Sequence, residues 1–203
     1  KIDEYTESFF QLRQHKGITR DEALQTVSHP VFYGAMMVRE GLADGFVAGA
    51  ATTTPDVAKA ALYCIGIDKR IATIASCFIM IVPHCPYGEK GTFVFADCGI
   101  IPDPTTRQLA QIAISSSELA HKVLDITPRV AMLSYSTKGS ATGRFVERIR
   151  EATAMLREIA PDMIVDGELQ VDAAIVPEVA KFKYPDSPIK GDANILIFPN
   201  LEA

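Results

Sequence analysis

The chain has 203 residues, 48% of them hydrophobic, and a formal net charge of −5; it can close a substantial core, which excludes a disordered tail, and it has no broad positive field for nucleic acid or an anionic membrane surface. An anionic ligand therefore needs a local cationic site. The longest apolar run, IATIASCFIMIV, ends at Pro83 and falls short of the ~20 residues that cross a bilayer, and Cys64, Cys77, Cys85 and Cys98 stand in no C-x-x-C pair, so reduced thiols in a cytoplasmic setting are expected, without zinc.

From Ile2 to Lys16, Tyr5, Phe9 and Leu12 recur at helical spacing, and Gly17 stops that helix. Thr19-x-x-Glu22 is a capping box that opens a second helix, and Pro30 starts a third, VFYGAMMVRE, closed by Gly41. Beyond it, short apolar runs alternate with helices. GFVAG reads as a strand, followed by a helix around Asp56 to Cys64; IATIASCFIMIV reads as a buried strand with its approach, joined through the loop PHCPYGEKG to a strand in GTFVFAD. A long helix follows Pro104, RVAML is a strand, Thr142 to Ala160 a helix, MIVD a strand, Val171 to Phe182 a helix and ILIF the last strand. On the helix from Arg144, the stripe Phe145, Ile149, Leu156 and Ile159 is expected on the sheet, with Glu147, Arg150, Glu151 and Glu158 pointing away. This alternation predicts an α/β fold, a mostly parallel sheet flanked by helices on both faces in three layers. The chain begins at Lys1 rather than at a methionine and stops soon after ILIF, which reads as a sequence cut at both ends.

In open α/β sheets ligands collect beyond the carboxyl ends of strands, so the strand-to-helix loops are the places to look. After RVAML the loop SYSTKGSATG brings Ser134, Ser136, Thr137, Lys138, Gly139, Ser140 and Thr142 to a helix start, a set of donors suited to a phosphate. The same hydroxyls could equally cap the helix and form turns. It is no nucleotide-triphosphate loop, since G-x-x-x-x-G-K-[ST] is absent. After GFVAG, Thr52, Thr53 and Thr54 precede a helix carrying Lys59, again either an anion site or a cap, with Thr54 the capping residue, beside a solvated lysine. Arg13, His15 and Lys16 cluster at the end of the first helix, as dipole complements or as a phosphate clamp. Asp97, Asp103, Asp166, Glu168 and Asp172 read as caps or turn residues, and His29, His84 and His121 as isolated surface or core histidines. No G-x-S-x-G elbow is present, which argues against a serine hydrolase.

The stretches LRQHKGITRDEA, PVFYGAMMVREGLADGFVAGA, FADCGIIPDPT, AQIAISS, PRVAMLSYSTKGSA and DGELQVDAAIVPEVAKFKYPDSPIKGDANILIFPNLEA, in this order, make nearly the whole chain resemble the phosphotransacetylase family. The resemblance implies reversible acetyl transfer between acetyl-CoA and phosphate, giving acetyl phosphate and coenzyme A. Coenzyme A is then a substrate and no cofactor is needed. It also implies an isocitrate/isopropylmalate-dehydrogenase-like fold, with residues 1–70 part of a first α/β domain and 71–203 a second, a site between domains, and a homodimer. Arg13 matches the family arginine of the LRxHKG stretch, associated with coenzyme binding. A second family arginine, within an LRPA-like stretch, is replaced here by Lys59 in AKAA, which keeps the charge and loses the planar fork. The family's serine, arginine and general base lie on an LSRG-like segment absent from this sequence, so the catalytic residues are expected beyond Ala203 and these 203 residues alone are expected to be inactive. A phosphate butyryltransferase, or a non-catalytic acyl-CoA-sensing domain like that fused to malic enzymes, are the alternatives.

Overall fold

A computed structural model describes residues 1–203, which cluster into two compact units, Lys1–Asp68 and Lys69–Ala203.

The first unit is helical. In α1 (Ile2–Arg13), Tyr5 and Phe9 face inward at i, i+4 spacing; a single 3₁₀ turn carries the chain to Gly17, whose φ of 81° ends it. The expected capping box opens α2 (Arg20–Val27): the Thr19 hydroxyl accepts the Glu22 N–H, and the Glu22 carboxylate accepts the Thr19 N–H at 2.8 Å. Pro30 begins α3 (Pro30–Arg39), and α4 (Thr54–Ala60) widens into a π turn over Ala61–Ile65. Tyr5, Phe9, Val27, Val31, Met36 and Cys64 build one core. Burial pushes the Cys64 thiol up to about 12, so it packs as a hydrophobe and is no nucleophile. GFVAG, expected as a strand, is coil, with Val47 fully exposed. A strand needs a ladder partner, and all five strands lie in the other unit.

The second unit carries a five-stranded sheet of order β1-β2-β5-β3-β4, formed by β1 (Cys77–Ile81), β2 (Thr92–Ala96), β3 (Arg129–Leu133), β4 (Ile164–Leu169) and β5 (Ile195–Ile197). Only β1 runs antiparallel. One face is covered by α5 (Thr106–Leu124) and α6 (Arg144–Ile159), whose Leu109, Ile112, Ile149 and Leu156 pack on Val94, Val130, Met132, Val165 and Ile197. On the opposite face Ala174 of α7 (Val171–Ile175), with Ile189 and Ala193, packs on Ala131, Leu133, Leu169 and Leu196. The mostly parallel sheet with helices on both faces therefore stands as the alternation implies.

Three local expectations change. β1 is an edge strand with Phe78, Ile79, Met80 and Ile81 exposed, because α5 and α6 pack on the other four strands and leave it uncovered. In α6 the inward stripe is Val146, Ile149, Ala152, Thr153 and Leu156, while Ile159 is exposed and Arg150 turns inward to a buried carboxylate. The helix expected over Val171 to Phe182 breaks at Val176, and α8 (Pro177–Lys183) starts afresh, since Pro177 has no N–H for a continuous helix.

Candidate functional site

The two hydroxyl-rich loops and the basic cluster at the end of α1 meet different fates. Arg13 and Lys59, 46 positions apart, converge on one aromatic ring: the Arg13 guanidinium lies 3.9 Å from the Tyr63 ring centroid, and the Lys59 ammonium 5.5 Å from it. The π turn after α4 brings Tyr63 to this position. Together with Lys16, His29, Phe9 and Phe32 they line a cleft of about 440 Å³. Neither Arg13, Lys16 nor Lys59 forms an ion pair, so their charge is available to a ligand. Stacking on Tyr63 orders the Arg13 guanidinium in advance, which lowers the entropy lost when it grips an anion. The floor is aromatic and apolar, the rim cationic. That combination suits a ligand with a flat ring and phosphates.

His29 was not expected at a site. It caps α3 through Nδ1, which accepts the Val31 N–H at 3.4 Å, and it borders both this cleft and an apolar groove of about 400 Å³ that also contains Thr52 and Phe46. Its position directly before Pro30 marks a helix start, the one sequence signal that bears on it. The Thr-rich loop supplies less than its composition suggests. Thr53, rather than Thr54, is the cap of α4; its hydroxyl accepts the Asp56 N–H at 3.3 Å and donates to the Asp56 carboxylate at 2.6 Å. That hydrogen bond, with His29 and Lys59 nearby, holds the Asp56 carboxyl below its usual range. The N-terminus of α4 thus already carries its own anion.

The loop after β3 has an internal partner. Ser136 is fully buried and donates to Glu168 at 3.0 Å, and the Gly139 N–H reaches the same oxygen at 2.8 Å. Arg150 adds two donors to Glu168 at 2.9 and 3.0 Å. Burial by itself would raise the Glu168 carboxyl; these hydrogen bonds outweigh it and hold it at about 2. The turn that aims the Gly139 N–H has φ of +89°, a conformation natural to glycine. Ser134 accepts the Ser136 N–H, Ser140 accepts the Thr137 N–H, and Thr137 exchanges hydrogen bonds with Gln170. Lys138 donates to Asp166 at 2.5 Å and to the Gly167 carbonyl at 2.8 Å. These hydroxyls do not cap α6, whose first flanking residue is Gly143 with no side-chain cap. Asp166 and Glu168, expected as turn or cap residues, are buried in β4, and Asp97 is buried as the acceptor for the N–H groups of Ser76, Gly99, Ile100 and Ile101.

With this geometry in place, comparison with known proteins assigns the family. The description "Phosphate acetyl/butaryl transferase" matches residues 1–203. The chain belongs to that family. It is 47% identical to a phosphate acetyltransferase of Thermoanaerobacterium thermosaccharolyticum over 203 residues, which is 100% of this chain and 62% of the relative. It is 46% identical to that of Acetivibrio thermocellus, covering 61% of the relative. A solved phosphotransacetylase from Streptococcus pyogenes superposes with a TM-score of 0.89 at 41% identity, over 100% of this chain and 60% of that one. The chain thus spans about three fifths of the length of the relatives it matches.

Proposed function

We propose that the whole protein is a phosphate acetyltransferase, exchanging acetyl groups between coenzyme A and phosphate, and that the Arg13–Lys59 cleft receives the phosphorylated nucleotide end of the coenzyme. The observation that carries this reading is the meeting of Arg13, Lys16 and Lys59, all without carboxylate partners, over the Tyr63 ring. Membership of the family supports the reaction. In that reaction a base takes the proton of the coenzyme thiol, whose pKa of ~8.5 leaves it mostly protonated at neutral pH. The thiolate then attacks the acetyl carbonyl and phosphate departs. Ser134, Ser136, Thr137 and Ser140 in the loop after β3, and Thr53 ahead of α4, are committed to hydrogen bonds within their own units and are not proposed as direct donors to a substrate. The family resemblance further implies a homodimer working in the cytoplasm, which sedimentation of the whole protein would test.

The deciding experiment follows thiol release from acetyl-CoA with phosphate, run on these 203 residues and on the longer protein. Transfer by the longer protein, with coenzyme binding but no turnover by the 203 residues, is the expected pair of results. Silence of the longer protein with binding retained would replace the enzyme by an acyl-CoA sensor. Butyryl donors run alongside set the acyl preference, because one or two methylenes change selectivity only modestly.

A further inference from the structure

The two edges of the sheet, β4 and β1, differ. On β4 the Gly167 N–H is accepted by Asp166, the Gly167 carbonyl accepts from Lys138, and Val165 to Leu169 are buried. That edge is closed from within the chain. On β1, Phe78 and Met80 on one face of the pleat and Ile79 and Ile81 on the other are all exposed, Ile81 by 73%. Edges left to solvent are ordinarily guarded by charges, prolines or bulges. No charged residue and no proline occurs from Ile71 to Val82, and β1 runs along β2 without a register shift. A strand this apolar on both faces lacks every usual guard of a solvent edge.

The ladder fixes what such an edge can accept. The Val82 N–H donates to the carbonyl of Gly91, directly opposite, at 2.9 Å. Hydrogen-bonded pairs alternate along antiparallel strands, so Met80 and Phe78 also bond toward β2, and the N–H and C=O groups of Cys77, Ile79 and Ile81 point outward. These outward groups are arranged symmetrically about Ile79. A second β1, antiparallel and related by a two-fold axis at Ile79, sets Ile79 against its own counterpart and Cys77 against the counterpart of Ile81, so that every outward donor meets an outward acceptor. A second copy also brings the same bare edge, and one contact covers both. Because β4 is closed, edge-to-edge contact between copies joins β1 to β1 and ends in a dimer rather than an open filament.

We propose that β1 docks a second copy of this chain, the two edges pairing antiparallel about Ile79 so that two five-stranded sheets become one. This rests on the homodimer proposed above and gives it a surface and a register. The test uses both the longer protein and the 203 residues. Sedimentation should find dimers that Ile79→Lys weakens on the order of a hundredfold, as two apolar side chains lose their burial and two like charges meet. Ile79→Glu should behave alike, and an equimolar mixture of the two variants should recover the dimer, which misfolded variants would not do. Diamide, which takes up the two thiol hydrogens, should join Ile79→Cys to its counterpart across the roughly 5.5 Å between Cα atoms of a bonded pair, with the linked peptides read by mass spectrometry. Dimers that survive Ile79→Lys, or a mixture that stays apart, would overturn this surface and leave the homodimer standing; monomers throughout would overturn both. A cross-link at Met80→Cys but not at Ile79→Cys overturns the register. A cross-link in the 203 residues and none in the longer protein means that the rest of that protein covers β1, which also overturns the proposal.

Discussion

Glu168 shows how one buried charge organises a loop. Its carboxylate accepts from Ser136, Gly139 and Arg150, groups that come from the loop after β3 and from α6. The carboxyl titrates at about 2 in the folded chain against an ordinary 4.5. A depressed folded value means that the stabilisation is fully present above the ordinary value, fades as pH falls through it, and is gone below the folded value. The gap corresponds to on the order of 3 kcal/mol. Glu168→Gln is therefore expected to lose on the order of 3 kcal/mol in urea unfolding at neutral pH and to show a flatter decline than the wild type down to about pH 3. Equal stability at neutral pH, or parallel acid slopes, would remove Glu168 from this role. The donor side of this arrangement was legible in the sequence, as hydroxyls and a lysine crowded before a helix. The acceptor was not, because Glu168 lies 32 positions beyond Ser136 and joins it only through the pairing of β3 with β4.

At the scale of elements, what the sequence states locally it states well. Thr19-x-x-Glu22 forms the capping box that its spacing implies, and Thr105-x-x-Gln108 forms a second at the head of α5, with the Gln108 side chain accepting the Thr105 N–H at 2.9 Å. Since α5 carries Leu109, Ile112, Ala113 and Ala120 into the core, fraying at its start is felt by the whole sheet. Thr105→Ala should cost about 1 kcal/mol. Thr106→Ala, which removes only an exposed hydrogen bond to Glu151, should stay within about 0.5 kcal/mol. Urea midpoints of the two variants check this, and equal losses would mean that the cap is not what matters. What depends on neighbours is less legible. The apolar run of β1 gives no sign that it lies at an edge, and the inward stripe of α6 is shifted because Val146 and Ala152, not Phe145 and Ile159, face the sheet.

For the molecule as a whole the question is how a chain of net charge −5 would hold the polyanionic coenzyme proposed for it. At about 0.1 M salt the field of distant charges is screened within ~10 Å, so the acidic remainder of the surface counts for little beside cations in contact with the ligand. Those cations were legible in part: Arg13 and Lys59 stood out as residue types at helix ends, but that they share Tyr63 follows only from the packing of α1 against the turn after α4. Arg13→Gln removes a stacked, pre-ordered guanidinium and should weaken coenzyme A binding to this chain about tenfold, in line with about 1.5 kcal/mol for a charged hydrogen-bonding group. Lys59→Arg restores the planar fork and should tighten binding a few-fold, since charge is conserved and two-pronged geometry is gained. Calorimetry across a salt series separates these effects. Wild-type affinity should fall as salt rises, Arg13→Gln should show a shallower slope, and Lys59→Arg should keep the slope while shifting the curve. If affinity instead rose with salt, the acidic surface rather than the cleft would govern association, and the coenzyme would have to be placed elsewhere.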